Sequence, residues 1–284
     1  MEQPQGYVDV IREDGRVVPL TIETHTIIDR EILAKNITTN LGRNLPRFVN
    51  RAGLGQVKSG PIAIVGAGPS LKETVNRVRD FENVLVCGSG HDFLVRQGII
   101  PNYAAVCDGG KDDKGNLSIP NKETAYLIAS QCDPSLFDHL ADYHVEMWHY
   151  RGQATKTLGE EAELLKGELS IAWGSSIGMI AIALARLIGF QHLHFFGFDS
   201  CYGRFGMDHH CCKIAGSMEY EKKPVTVGDQ TFITDLALIE QASQFFRYIE
   251  NQYEYFHATI HGDGLIAAMI RHGEPGLKNF LSLA

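Results

Sequence analysis

The stretch Pro61-Ile62-Ala63-Ile64-Val65-Gly66-Ala67-Gly68-Pro69-Ser70-Leu71 decides the fold. A short apolar run reads as a buried strand, and the chain then breaks through two glycines into a helix start. Gly66 and Gly68 permit a tight turn and a close approach of backbone to a ligand. Pro69 suits a first helical turn, where its missing N–H is not needed. Open amides and the helix dipole at such a junction favour an anion, so Gly66, Gly68, Pro69 and Ser70 are candidate phosphate-binding residues. The run departs from the dinucleotide fingerprint G-x-G-x-x-G, because Leu71 occupies the place of the third glycine.

From Pro61 onward, apolar runs alternate with amphipathic segments, the pattern of a parallel sheet covered on both faces. Strands are expected over 62–65, 84–87, 103–107, 125–129, 144–148, 192–196 and 255–260. Helices are expected over 70–79, 91–97 and 176–188. A further long helix is expected over 231–251, where Leu236, Ile239, Ala242, Phe246 and Ile249 form a stripe. The sequence therefore predicts an α/β fold with a doubly wound, mostly parallel Rossmann-like sheet and a helical C-terminal part. Residues 1–58 read as an extension made of a hairpin (7–11 with 17–22) and a helix (29–41), and residues 59–284 as the nucleotide-binding domain. The aperiodic stretch 199–230 is too long for an ordinary connection and predicts a functional loop or lid.

Composition narrows the classes further. With 284 residues and 44% hydrophobic residues the chain can bury a substantial core. It offers neither a run of roughly 20 apolar residues for a membrane span nor a secretory leader, so a cytoplasmic protein is expected. A formal charge of -8 argues against a broad grip on nucleic-acid backbones. The six cysteines, at 87, 107, 132, 201, 211 and 212, lack CxxC spacing, and the adjacent His209-His210-Cys211-Cys212 cannot turn all its side chains on one zinc ion.

In a doubly wound sheet, ligands bind beyond the carboxyl ends of the strands. The residues expected there are polar and glycine-rich: Gly66 to Ser70, Gly88-Ser89-Gly90-His91, Asp108-Gly109-Gly110, Ser130-Gln131, Gly174-Ser175-Ser176, Gly197-Phe198-Asp199-Ser200 and His261-Gly262-Asp263-Gly264. Gly88 and Ser89 are candidate nucleotide ligands, although glycine-serine turns also cap helices. Ser175 and Ser176 open a second helix able to hold an anion. Asp108 and Asp199 follow strands, where a carboxylate can hold magnesium or accept from a hydroxyl; helix capping is their structural alternative. The second strand ends in Cys87-Gly88-Ser89 and not in the acidic residue that holds a nicotinamide dinucleotide's ribose. Neither a Walker loop nor a G-x-S-x-G elbow occurs.

Taken in order, Ala63 to Leu71, then Gly98-Ile99-Ile100-Pro101-Asn102-Tyr103 leading to Asp108, then Gly174-Ser175-Ser176-Ile177-Gly178, then Gly197-Phe198-Asp199-Ser200 with His209 and His210 downstream, form a set. This set resembles the 6-hydroxymethylpterin diphosphokinase MptE-like family, whose domain is shared with motility-associated flagellin glycosyltransferases. The resemblance spans roughly residues 40–270. It implies a Rossmann-like domain that binds a nucleotide or nucleotide-sugar donor at the glycine loop. The archaeal diphosphokinases of the family use magnesium and ATP, but their His-Ala-His-Gly-Asp-Asn stretch finds no counterpart in this reading. The Gly-Ser-Ser helix and the Gly-Phe-Asp-Ser end look more like the sugar-transferring branch.

The expected activity is thus nucleotide-sugar-dependent glycosyl transfer. His209 or His210 would act as acid or base, and Asp199 or Asp108 would orient a sugar, a ribose or a metal. A magnesium-dependent diphosphokinase using Asp108, Asp112 and Asp113 is one alternative, and a noncatalytic nucleotide-binding protein is another. Magnesium is the one cofactor the alternatives invoke. The acceptor is not named by the sequence, which is also compatible with a homo-oligomer.

Overall fold

A computed structural model describes residues 7–11, 17–21, 28–51, 53–111, 113–151, 154, 157–171, 174–203, 210–211, 221–252, 257–273 and 281–283. The chain begins with β1 (Tyr7–Ile11), β2 (Val17–Thr21) and α1 (Arg30–Leu41). It then alternates β3 (Pro61–Val65), α2 (Leu71–Val78), β4 (Asn83–Cys87), α3 (Gly90–Arg96), β5 (Tyr103–Val106), α4 (Asp113–Asn116), β6 (Ala125–Ala129), α5 (Pro134–His139) and β7 (His144–Trp148). After α6 (Leu158–Leu164) and α7 (Ile177–Ile188) come β8 (His192–Phe196), β9 (Lys223–Val227), β10 (Gln230–Thr234), α8 (Leu236–Gln252), β11 (His257–His261), α9 (Leu265–His272) and β12 (Leu281–Leu283).

Eight strands form one parallel sheet in the order β12-β11-β8-β3-β4-β5-β6-β7. The chain starts in the middle at β3, steps outward to β7, and returns through α7 to place β8 on the other side of β3. The strand order therefore reverses between β3 and β8, and a crevice opens at their carboxyl ends. Two antiparallel hairpins, β1 with β2 and β9 with β10, stand outside this sheet. The expected Rossmann-like architecture with a helical C-terminal part is observed. Among the described residues no helix is long and apolar enough to cross a membrane.

Local sequence accounts for these elements. The strands β3, β4, β5 and β6 are continuous apolar runs because helices cover both of their faces, and β6 is buried along its whole length. α7 lies over β3, β4 and β5 and against α8, which is why Ile177–Ile188 is almost wholly apolar. Its buried residues Ile180, Ile182, Leu184 and Ile188 each contribute roughly 1.5–3 kcal/mol in area terms. Gly189, left-handed at φ 114, stops the helix. α1 carries polar residues on its inner face for a specific reason: Asn36 donates to the Gln131 carbonyl, and Asn40 to those of Ser130 and Cys132. These amides seat α1 on the carboxyl end of β6.

Two elements differ from the sequence expectation. The long helix begins at Leu236, and Gln230–Thr234 is a strand paired with Lys223–Val227. The β-branched and aromatic residues Thr231, Phe232, Ile233 and Thr234 satisfy strand pairing better than a helical turn. The stretch expected to be a loop thus ends in a hairpin. β12 also adds an eighth strand beyond the seven expected.

Candidate functional site

The crevice at the β3–β8 switch point holds a cavity of about 420 Å³. Of the residues singled out above, Gly66, Gly68, Ser89, Asp108, Ser175, Ser176, Asp199 and His210 line it. Pro69, Ser70 and Gly88 are not part of the lining, and His209 and Asp112 lie outside the described residues. His210 reaches the cavity because the neighbouring Cys211 N–H donates to the Ala67 carbonyl at 2.6 Å.

The amides of the glycine turn find their acceptors within the protein. The Gly66 amide donates to the Phe196 carbonyl at 2.8 Å, and the Gly68 amide to the Gly197 carbonyl at 2.9 Å. The Ser70 amide donates to Asp199 Oδ2 at 2.9 Å. The anion at the start of α2 is therefore a carboxylate of the protein itself, lent by the loop after β8. The amides that the sequence reading reserved for phosphate are occupied. The glycines serve the crossing of the two loops: a Cβ on Gly68 would lie 2.3 Å from Asp199 Oδ2 and 2.5 Å from the Gly197 carbonyl oxygen. Gly197, at φ 64, completes the contact from the other side.

The helix start at α7 is open by contrast. Gly174, at φ 86, folds back so tightly that a Cβ there would meet Met179 Cβ at 2.5 Å. The Ser175 amide is held by Gln244 Oε1 of α8 at 2.8 Å. The Ser176 side chain makes no capping bond. Among the described residues no acceptor takes the amides of Ile177, Gly178 and Met179, all of which border the cavity. First-turn amides of a helix of this length, left without an acceptor among the described residues, suit an anion.

Across the cavity stand Asp199 and Asp235. Burial pushes the Asp199 carboxyl above its ordinary range, and the hydrogen bonding of Ser70 offsets only part of this. Asp235 caps α8 by accepting from the Leu238 amide and from the Tyr202 hydroxyl. Asp108 accepts from the Gly110 amide at 3.3 Å, a local turn that leaves the carboxylate beside the cavity. Among the described lining residues none is lysine or arginine. Cys87 and Cys201 also face the cavity, but burial pushes both thiols up to about 12, so neither is a nucleophile near neutral pH.

Sequence reasoning missed Asp235, Gln241 and Gln244 because only the tertiary fold brings α8 to this edge. The turn Gly228-Asp229 between two alternating runs was the signal that would have placed the start of α8 correctly. Ser130 is set apart from the cavity: fully buried, it pairs with His149 Nδ1, while His149 Nε2 pairs with Glu168. This serine-histidine-glutamate arrangement lies apart from the switch-point cavity and ties the end of β7 to that of β6. His261-Gly262-Asp263 does repeat the His-Gly-Asp of the archaeal stretch, which corrects the reading that nothing here corresponds to it. Its side chains are engaged elsewhere. His261 stacks on Phe196 with ring centroids 4.0 Å apart, and the exposed Asp263 pairs with Arg271.

A parallel sheet flanked by helices, with its strand order reversing beside a cavity, defines a Rossmann-like α/β protein. Residues 32–204, more than half of the chain, match the family described as 6-hydroxymethylpterin diphosphokinase MptE-like, and the chain belongs to that family. The fold is similar to that of the MAf glycosyltransferase from Magnetospirillum magneticum AMB-1, with 18% identity and a TM-score of 0.59 over 82% of this chain. The likeness spans 36% of that glycosyltransferase. A mammalian sialyltransferase in complex with Gal-beta-1-3GalNAc-ortho-nitrophenol is matched over 66% of this chain and 71% of its own, with 11% identity and a TM-score of 0.36, too slight a likeness to bear on the fold. Comparison with curated proteins gives no match.

Proposed function

We propose that the protein is a nucleotide-dependent transferase that moves a glycosyl group from a nucleotide sugar to an acceptor hydroxyl. The observation that carries this reading is the open amide end of α7 facing buried carboxylates across one cavity at the switch point. The family and the glycosyltransferase fold likeness support it.

In this reading the donor phosphate sits against the amides of Ile177, Gly178 and Met179, beside Ser175 and Ser176. As the bond between the anomeric carbon and the phosphate oxygen breaks, that oxygen gains negative charge, and the fixed N–H groups and helix dipole stabilise it. The acceptor hydroxyl forms the new bond to the anomeric carbon and gives its proton to a base. His210 is placed for this role because it lines the cavity, with His209 its neighbour in sequence. Asp199, raised by burial, is the other proton carrier at the cavity. Asp108 and Ser89 orient the nucleoside. The Gly66 to Ser70 turn contributes the wall and holds Asp199.

The family description favours a second reading, a magnesium- and ATP-dependent diphosphokinase. Among the described residues no three metal-ligating side chains come together. A magnesium ion there would lean on phosphate oxygens and Asp108, not on a protein cage.

Thermal unfolding with cytidine, uridine, guanosine and adenosine nucleotides, with and without magnesium, separates the readings. A ligand at 100 times its Kd adds about 2.7 kcal/mol to the folded state. Stabilisation by cytidine or uridine nucleotides without magnesium is the expected result, followed by donor turnover with a suitable acceptor. Stabilisation only by ATP with magnesium would assign the diphosphokinase, and binding without turnover of any donor would assign a nucleotide-binding protein.

A further inference from the structure

Left-handed backbone at the carboxyl edge of the sheet is given to glycine: Gly88, Gly174, Gly197 and Gly262 all have positive φ. Ser200 is the exception. At φ 50 it holds a conformation that costs an L-residue energy and glycine none. The surrounding structure fixes it there. Its carbonyl accepts from Thr234 Oγ1 at 2.9 Å, the Tyr202 amide donates to the Ile233 carbonyl at 2.8 Å, and Gly264 closes on Asp199 so nearly that a Cβ would lie 2.5 Å from the Asp199 Cα. A glycine would serve the backbone better, yet this position carries a hydroxymethyl group. Ser200 borders the cavity directly after Asp199. Residues held in strained backbone against an available relief cluster at ligand sites.

We infer that Ser200 is a positioning residue whose hydroxyl, beside the Asp199 carboxylate, holds a hydroxyl of the bound ligand. The inference rests on the nucleotide reading above. A neighbouring carboxylate and hydroxyl, on a described wall without lysine or arginine, suit a vicinal diol and not a phosphate. Two sources carry that chemistry: the ribose of the nucleotide and the transferred sugar. In either case the ligand lies with its phosphate on α7 and its hydroxyls on the loop after β8.

The test uses the whole chain and the variants Ser200→Gly and Ser200→Ala. Affinities are measured for the four ribonucleoside monophosphates, their 2′-deoxy counterparts and a UDP- or CMP-linked sugar. Ser200→Gly should keep or raise Tm, since it relieves the left-handed strain; Ser200→Ala keeps the strain and controls for it. With ribose as the source, wild type prefers the ribonucleotide over its deoxy counterpart. Both variants then lose about fivefold to tenfold in affinity for the ribonucleotide and leave the deoxy form unchanged. With the transferred sugar as the source, both variants lose that factor for the nucleotide sugar alone. Equal affinities of wild type and folded variants for every probe would overturn the role of Ser200 and leave nucleotide binding standing. Failure of wild type to bind any nucleotide would overturn both.

Discussion

At the residue scale, the paired histidines His194 and His261 carry the sharpest consequence. His194 Nδ1 and His261 Nε2 lie 3.0 Å apart on neighbouring strands, against Phe81 and Phe196. Burial, then the positive charge of Arg77 and the neighbouring His194, push His261 down to about 4, and burial also lowers His194. A histidine whose folded pKa lies below its unfolded value binds fewer protons in the folded state. Stability is therefore full above the ordinary value of 6.5 and is lost as pH falls toward 4. Denaturant unfolding at pH 7 and pH 5 should show wild type weaker at pH 5, and His261→Phe, which keeps the ring stack on Phe196, should lose less over the same interval. An identical loss in both proteins would place the acid sensitivity elsewhere.

At the scale of elements, the crossing of the β3–α2 and β8 loops does two tasks at once: it covers the start of α2 with Asp199 and forms one wall of the cavity. Gly68→Ala would force a Cβ to within 2.3 Å of Asp199 Oδ2 and 2.5 Å of the Gly197 carbonyl oxygen. Over-packing of this kind costs about 2 kcal/mol, and parting the loops should also weaken nucleotide binding. Denaturant midpoints and affinities measured on the variant check both effects, and wild-type values for both would mean that the crossing is not rigid.

The same crossing shows what was legible in the sequence. Gly66 and Gly68 announce a close backbone approach, which is correct. The chain cannot announce that Gly197 and Asp199 approach it, Asp199 from 129 residues beyond Ser70. Strands were readable because complete burial makes them continuous apolar runs. Gln230–Thr234 reads as helix in the sequence because the stripe from Leu236 runs directly into it, and pairing with Lys223–Val227 overrides the helical period.

At the scale of the whole molecule, the sheet gathers residues from β3, β4, β5, β8 and the starts of α7 and α8 at one edge. The fold assigns the two helix starts at that edge different roles. α2 is closed by an internal carboxylate, whereas α7 is open and is fixed by Gln244 reaching from α8 to the Ser175 amide. The glycine turn is thus engaged within the protein, and in the proposed reading the anion binds at the less conspicuous Gly174-Ser175-Ser176. The Leu71 departure from the dinucleotide pattern fits this division, since a fully buried Leu71 seats α2 as a core element.

The direct test follows backbone amide resonances while the nucleotide that stabilises the protein most in thermal unfolding is added. The account predicts the largest shifts at Ile177, Gly178 and Met179, with Gly66, Gly68 and Ser70 nearly unmoved because their protons are already donated. Shifts concentrated at Ser70 and the first turn of α2, with α7 silent, would contradict it.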